Sequence, residues 1–375
     1  MQVSDERPSW PNFSTGRRCY DTGRQLVVGI LTSIVLLAPS AVTLVGSEPS
    51  ADGVRGLVAL ADLSTVATRT ALMGTASYLD ALVLAPGMHQ QQSANEVNRG
   101  ETPITGAITN GYIFHIENPA TVRYLQSIGC TGHLVTAKVS ERFPLGDKQS
   151  EHNRRIQSFV TAGIRATLLY LLCPVLTIIA FVLLGAIEDW WGFGVLWMLV
   201  LARLINVVVI KRRSQKGWKG KKEPGVEGDL LILLSQDRWV RLRGLVDDIK
   251  AVTAGQWLRD MSDEESFAVA FATLLVYVSA AVAGNASKMG SLLIACLLLC
   301  SVALLGLCNA KTECLQMYGC TVRQEGPARY YQQRLEMAAD LIVTSGQSDW
   351  AIGIGLVRNR DEVATMLPEK RLFFV

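Results

Sequence analysis

The residues that could do chemistry are few, and none completes a known reactive set. Cys130-Thr131-Gly132-His133 offers two metal-ligand types. A structural zinc needs four, and His89, His115 and His152 are not spaced to supply the rest, so no metal is expected. Asp247-Asp248 opens like an aspartate-rich diphosphate motif, but position 251 is Ala251, which leaves a solvated helix face as the better reading. Gly353-Ile354-Gly355 is a fragment of a nucleotide loop. A P-loop, a complete GxGxxG, a GxSxG and an HExxH are all missing, so no cofactor and no catalytic residue is assigned. The remaining charge patterns are Asp62, Arg69 and Asp80 within the otherwise apolar Leu57–Leu84, and seven Lys/Arg between Lys211 and Gly225.

These residues must be positioned by strongly apolar elements. Charged residues are 18% of the chain, and the mean hydropathy is +0.26. Polar and apolar residues are segregated into blocks. The formal charge of +3 is too small for a nucleic-acid binder, so no nucleic acid is expected. A crossing helix needs about 20 mostly apolar residues. Leu26–Val45, Ala166–Ala186, Gly192–Ile210, Phe267–Gly284 and Met289–Leu307 predict five such helices. The fold class expected is therefore mainly α: a polytopic helical membrane protein, with two of the helical hairpins at 162–210 and 266–309. A small mixed cytosolic region accompanies them. Cys173, Cys296, Cys300 and Cys308 fall in the apolar runs, where Cys acts as a small hydrophobe. Cys314 and Cys320 would pair only in an oxidising compartment.

Lys and Arg in short loops are retained on the cytosolic side. Lys211, Arg212, Arg213, Lys216, Lys219, Lys221 and Lys222 are accordingly read as a topology anchor that also contacts anionic lipid. IEDWWGF and NASKMG, nearly free of Lys and Arg, close the two hairpins on the far side. Parity then leaves two solutions. Either the amino terminus lies outside, exposing the sequon Asn12-Phe13-Ser14, or a sixth, polar crossing lies within 57–84 and carries Asp62, Arg69 and Asp80 inside the membrane. Arg203 is expected to snorkel to the surface. Ala268, Ala272, Ala280 and Gly284, mostly four apart, predict a close packing seam.

The polar parts are expected to assemble beneath the bundle. Residues 86–161 read as mixed, with turns at Asn110-Gly111 and Asn118-Pro119. GDLLILLSQDRWVRLRG fits a hairpin or a helix, and Leu242, Leu245, Val246, Ile249 and Val252 repeat at helical spacing. Ser262 and Glu265 match a capping box. The tail is expected to extend the last helix. A second tail helix carries Tyr331, Leu335, Ala338 and Ile342 and ends at Gly346, and a short helix follows, capped by Ser348 and running through Val357.

The words GWKG…EPGVEGDLLILLSQDRWVRLRGLVDDIKAVTAGQWLRD, ALADLSTVATR, LCNAKTECLQMYG and DWAIGIGLV resemble an uncharacterised family of multi-pass membrane proteins of filamentous fungi. The resemblance covers most of residues 25–357 and implies no activity, ligand or catalytic residue. The expectation is a non-enzymatic interaction or organising protein, with membrane lipids and a protein bound through cytosolic segments as its partners. The alternatives are a transporter or channel-like subunit, and a membrane-embedded enzyme acting on lipids, with a polar pocket near Arg241, Arg243, Asp247 and Asp248.

Overall fold

The computed structural model describes residues 63–141, 163–215 and 220–361. The apolar run at 26–45, Asn12, Asp62, Lys216 and Lys219 lie outside the described residues. Four helices are long and apolar enough to cross a membrane. They are α3 (Ile164–Ala186), α4 (Trp190–Arg213), α6 (Asp263–Val282, prolonged by a 3-10 turn to Asn285) and α7 (Lys288–Lys311).

Each is apolar nearly all round, yet buries only a stripe. On α6 the buried residues are Glu265, Ala272, Val276 and Ser279, while Phe267, Phe271, Leu274, Tyr277 and Val278 are exposed. On α3, Tyr170, Cys173, Thr177, Ala180 and Leu184 are buried, while Leu168, Leu172, Val175, Ile179 and Val182 are exposed. An apolar surface of that extent is unstable in water and suits lipid. The helix α3 runs on through Pro174. Tight packing runs between the hairpins, α3 along α7 and α4 along α6, rather than within them.

The expected seam on α6 is corrected. Ala272 is fully buried, Ala268 and Ala280 are half-buried, and Gly284 is exposed with open space around it. The glycine that close packing requires is Gly290 on α7, where an added Cβ would run into the Asp189 carboxylate. Asp189 caps α4 through Gly192 N–H (2.9 Å) and also accepts from Ser287 N–H (2.9 Å) and Ser287 Oγ (2.6 Å). Ser287 Oγ in turn accepts from Gly290 N–H (3.0 Å) and caps α7. One carboxylate thus ties the closed ends of both hairpins. Burial works against its charge, but the donors of Ser287, Gly192 and Trp191 outweigh that and hold it below the usual carboxylate range.

The "small mixed" region is larger than expected: it is an eight-stranded sheet in the order β2-β1-β4-β5-β3-β7-β6, with β8 also beside β3. The strands are β1 (Ile104–Ala107), β2 (Ile113–His115), β3 (His133–Glu141), β4 (Glu227–Leu234), β5 (Arg238–Leu245), β6 (Cys314–Met317), β7 (Cys320–Gln324) and β8 (Arg329–Tyr330). The pair β3–β5 is parallel, from Leu134↔Trp239 to Lys138↔Arg243, and the other pairs are antiparallel. Three chain segments contribute strands: one before the first hairpin, one between the two, and one after the second.

Period-two alternation decides the faces. Leu230, Ile232, Val240 and Leu242 face a core shared with Val207 and Ile210 of α4 and with α2 (Pro119–Ile128) and α5 (Val246–Thr253). Leu231 and Trp239 face the opposite core, covered by α8 (Arg334–Ser345) and α9 (Asp349–Gly353) with Met337, Leu341 and Trp350. The stretch 227–245 is a hairpin, turned by Gln236 (φ 62°) and Asp237 (φ 53°). The helical repeat from Leu242 holds only from Val246, because Leu242 and Leu245 belong to β5. After Lys311 and Thr312 the chain turns into β6 instead of extending α7. Register sets Cys314 opposite Arg323 and Cys320 opposite Met317, so this hairpin does not bring the two thiols together. The capping box at Ser262 forms, α8 ends at Gly346 in the left-handed region (φ 72°), and α9 stops at Gly353 short of Val357.

Candidate functional site

Residues 63–96 correct the expected sixth crossing. The helix α1 (Thr65–Met73) has nine residues and ends at the left-handed Gly74. Two 3-10 segments follow, Tyr78–Leu82 and Met88–Glu96. A crossing helix needs about twice the length of α1. The chain instead enters the bundle from the sheet side and returns to it. Lys211 Nζ sits 3.6 Å from the Tyr78 ring centroid, close to the sheet-side end of α4. Leu82 C=O accepts from Thr177 Oγ1 (2.7 Å), thirteen residues into α3 and so about 20 Å along it. Further on, Gln92 is back beside Arg213, at the end of α4.

Local sequence makes this re-entrant wedge. Ser77 and Asp80 form a reciprocal capping box, with Ser77 N–H donating to Asp80 Oδ2 (2.6 Å). Gly87 turns the chain at φ 81°, where a Cβ would strike the backbone of Leu63. Leu84, Ala85 and Met88 are fully buried among the helices.

Non-helical backbone at such depth survives only where protein groups satisfy it. Arg203 does so, and this corrects its expected escape to the surface. The side chain is 3% exposed, and its Nε donates to Asp80 C=O (3.1 Å) while NH1 donates to Gln91 Oε1. Gln91 Nε2 donates to Thr70 Oγ1 (3.1 Å), which donates to Val66 C=O (2.9 Å). Tyr170 Oη donates to Asp80 Oδ1 (2.6 Å). Gln92 Nε2 donates to Asn206 C=O and Oδ1 (3.2 Å each), and Gln92 Oε1 accepts from Arg213 NH1 (2.8 Å). The His89 ring lies 6.2 Å from Tyr277 of α6. Arg203 thus lies against Asp80 within the bundle, and Arg213, ten residues further along α4, reaches Glu265 by way of Arg259 at the sheet-side end.

The basic cluster divides. Lys211 stacks on Tyr78, Arg212 is exposed, and Lys221 and Lys222 are exposed. Arg213 is not a lipid contact. It is 3% exposed and donates to Arg259 C=O (2.7 Å) and to Gln92, and Arg259 pairs with Glu265 (2.6 Å). Arg241 and Arg243 both turn to Asp229, Arg241 within 2.5 Å and Arg243 at 3.6 Å. Hydrogen bonds with Asp229 raise the Arg241 pKa further. Asp247 accepts from Glu223 N–H (2.9 Å), and Asp248 from the Cys320 thiol (3.6 Å). These four residues therefore do not converge on one pocket. Among the described residues, no group of three or more His, Cys, Asp or Glu could hold a metal ion. Gln91, Gln92, Tyr170 and Thr177 escaped the sequence reading. Their signal was a polar residue placed inside or beside an apolar run.

No family model, no curated protein and no solved structure matches the chain.

Proposed function

We propose that this chain is a multi-pass integral membrane protein that organises or docks other proteins and is not an enzyme. One observation carries the reading. A single sheet is assembled from strands that precede, separate and follow two apolar hairpins, so the strand-bearing segments all lie at the open ends of both. Lys211, Arg212, Lys221 and Lys222 sit on that side, and their charge supports its assignment to the cytosol. Trp190 (72% exposed) and Trp191 (58%) sit at the closed end, where an interfacial Trp belt belongs. Because residues 63–141 reach the sheet without a crossing, a span at 26–45 puts the amino terminus and Asn12 on the far side, giving five crossings. The words shared with the fungal family fall partly on β4–β5 and on the α7–β6 junction, and membership of that family belongs to the same proposal.

The interaction role is tested by a photo-crosslinker at Tyr112 or Tyr330, both exposed on the sheet domain, in native membranes. A discrete adduct from either position is expected; none from both would refute the docking role. The second reading is a transporter or channel subunit, favoured by the re-entrant polar wedge. It requires solute flux in liposomes that Arg203→Gln abolishes. The proposed role gives no flux, because Leu84, Ala85 and Met88 seal the wedge. The lipid-enzyme alternative loses its pocket once Arg241 and Arg243 are engaged by Asp229.

A further inference from the structure

The helices α1 and α7 lie side by side where the bundle meets the sheet. Two rungs hold them: Asn309 Nδ2 donates to Thr65 C=O (2.9 Å), and Arg69 NH1 donates to Thr312 Oγ1 (3.0 Å). Three polar atoms on this one seam are buried without a hydrogen-bond partner: Thr65 Oγ1, Arg69 Nε and Asn309 Oδ1. Buried polar atoms left unpaired are rare, and each points to a missing partner. Arg69 is the decisive one. It is 5% exposed, lies 5.2 Å from the Tyr170 ring centroid, and forms no ion pair with a carboxylate among the described residues. Asp80 is occupied by Tyr170 and Ser77, and Glu313 by Arg323 (2.6 Å). A buried guanidinium is costly unless an anion meets it.

We propose that the α1–α7 seam binds a phosphate group, with Arg69 as its anchor. Arg69 Nε–H and the Thr65 hydroxyl, four residues apart on α1, supply two donors, and a guanidinium matches phosphate oxygens in geometry and charge. Asn309 Oδ1 accepts from a bridging water or from a hydroxyl beside the phosphate. Arg165 at the start of α3 and Lys311 at the end of α7 are exposed at the same level and make a cationic rim. That level is the headgroup layer if the helices cross a bilayer, so an anionic phospholipid is the first source and a soluble phosphate compound the second. Only the lipid source rests on the membrane reading.

The test measures binding to the detergent-solubilised full chain of short-chain phosphatidylglycerol, of phosphatidylcholine and of inorganic phosphate. Phosphatidylglycerol should bind the wild type, and Arg69→Gln should lose about tenfold or more in affinity, as expected for a lost charge-assisted contact. Arg360→Gln, at an exposed position beyond α9, should bind like the wild type. Inorganic phosphate binding with the same Arg69 dependence, and phosphatidylglycerol without it, identifies the soluble source and upholds the site. Should Arg69→Gln fail to fold, Arg69→Lys keeps the charge, lacks the Nε–H, and should show the loss instead. Anion binding that is equal in wild type and Arg69 variants, or no binding of any probe, overturns the proposal. A chain that stays soluble without detergent would defeat the membrane reading and leave the inorganic-phosphate arm intact.

Discussion

Gly87→Ala is the substitution that bears most directly on the wedge. Gly87 holds φ 81°, a conformation that costs an L residue about 1–2 kcal/mol. The new Cβ would also run into the Leu63 carbonyl oxygen and lie 2.9 Å from the Leu63 carbonyl carbon and amide nitrogen. These are backbone atoms and cannot rotate away, so the overlap adds about 1–3 kcal/mol of overpacking. The expected loss is about 2–5 kcal/mol, read as a lowered denaturation midpoint in detergent at unchanged slope. Gly284→Leu is the matched control. Its site is exposed, and a Cβ there meets nothing within 4 Å, so the change should stay within about 0.5 kcal/mol. Wild-type stability in Gly87→Ala, or a large loss in Gly284→Leu, would refute the placement of the wedge against α1.

Four shorter predictions follow from the contacts. Gly290→Ala should displace the Asp189 carboxylate from Ser287 and lower stability by about 1–3 kcal/mol, measured by thermal unfolding in detergent. Asp189 has a depressed folded-state pKa, so its contribution is complete above the unfolded value of about 3.9 and fades as pH falls below it. Asp189→Asn should therefore weaken the protein at neutral pH and flatten that acid limb, and an unchanged limb would exclude the latch. Arg241→Met leaves Asp229 mostly buried without its closest partner and should cost about 2–4 kcal/mol in denaturant unfolding, more than truncation of the exposed Arg323. Tyr331→Phe removes the hydrogen bond to Asp340 (2.6 Å) and should cost about 1 kcal/mol by the same measurement.

The apolar runs of α3, α4, α6 and α7 were legible because about 20 uncharged residues leave little choice of structure. The capping box of Ser262 with Glu265 on α6 was legible too, whereas Asn118-Pro119, read only as a turn, starts the helix α2. The sheet was not, because β1, β2, β6 and β8 have four residues or fewer, and the pairs β1–β4, β3–β5, β3–β7 and β3–β8 span the inserted hairpins. Such pairing is a property of topology and leaves little local periodicity. The stretch 227–245 stayed ambiguous between hairpin and helix because periodicity does not separate the two in a short apolar run such as Leu230–Leu234. The wedge stood open between a crossing and a helix against the bundle because its apolar residues face helices on several sides. Small-residue spacing misled at Gly284, since spacing alone does not tell which face of α6 meets protein.

The central claim is that the sheet and the closed ends of the hairpins lie on opposite sides of a membrane. Single cysteines at Asn285, in the exposed α6–α7 loop, and at Glu325, in the β7–β8 connection, test it directly in sealed vesicles lacking other reactive thiols. With a membrane-impermeant maleimide, the account predicts that only one of the two is labelled in vesicles of a given orientation, and the other only after permeabilisation. Equal labelling of both in intact vesicles would contradict it.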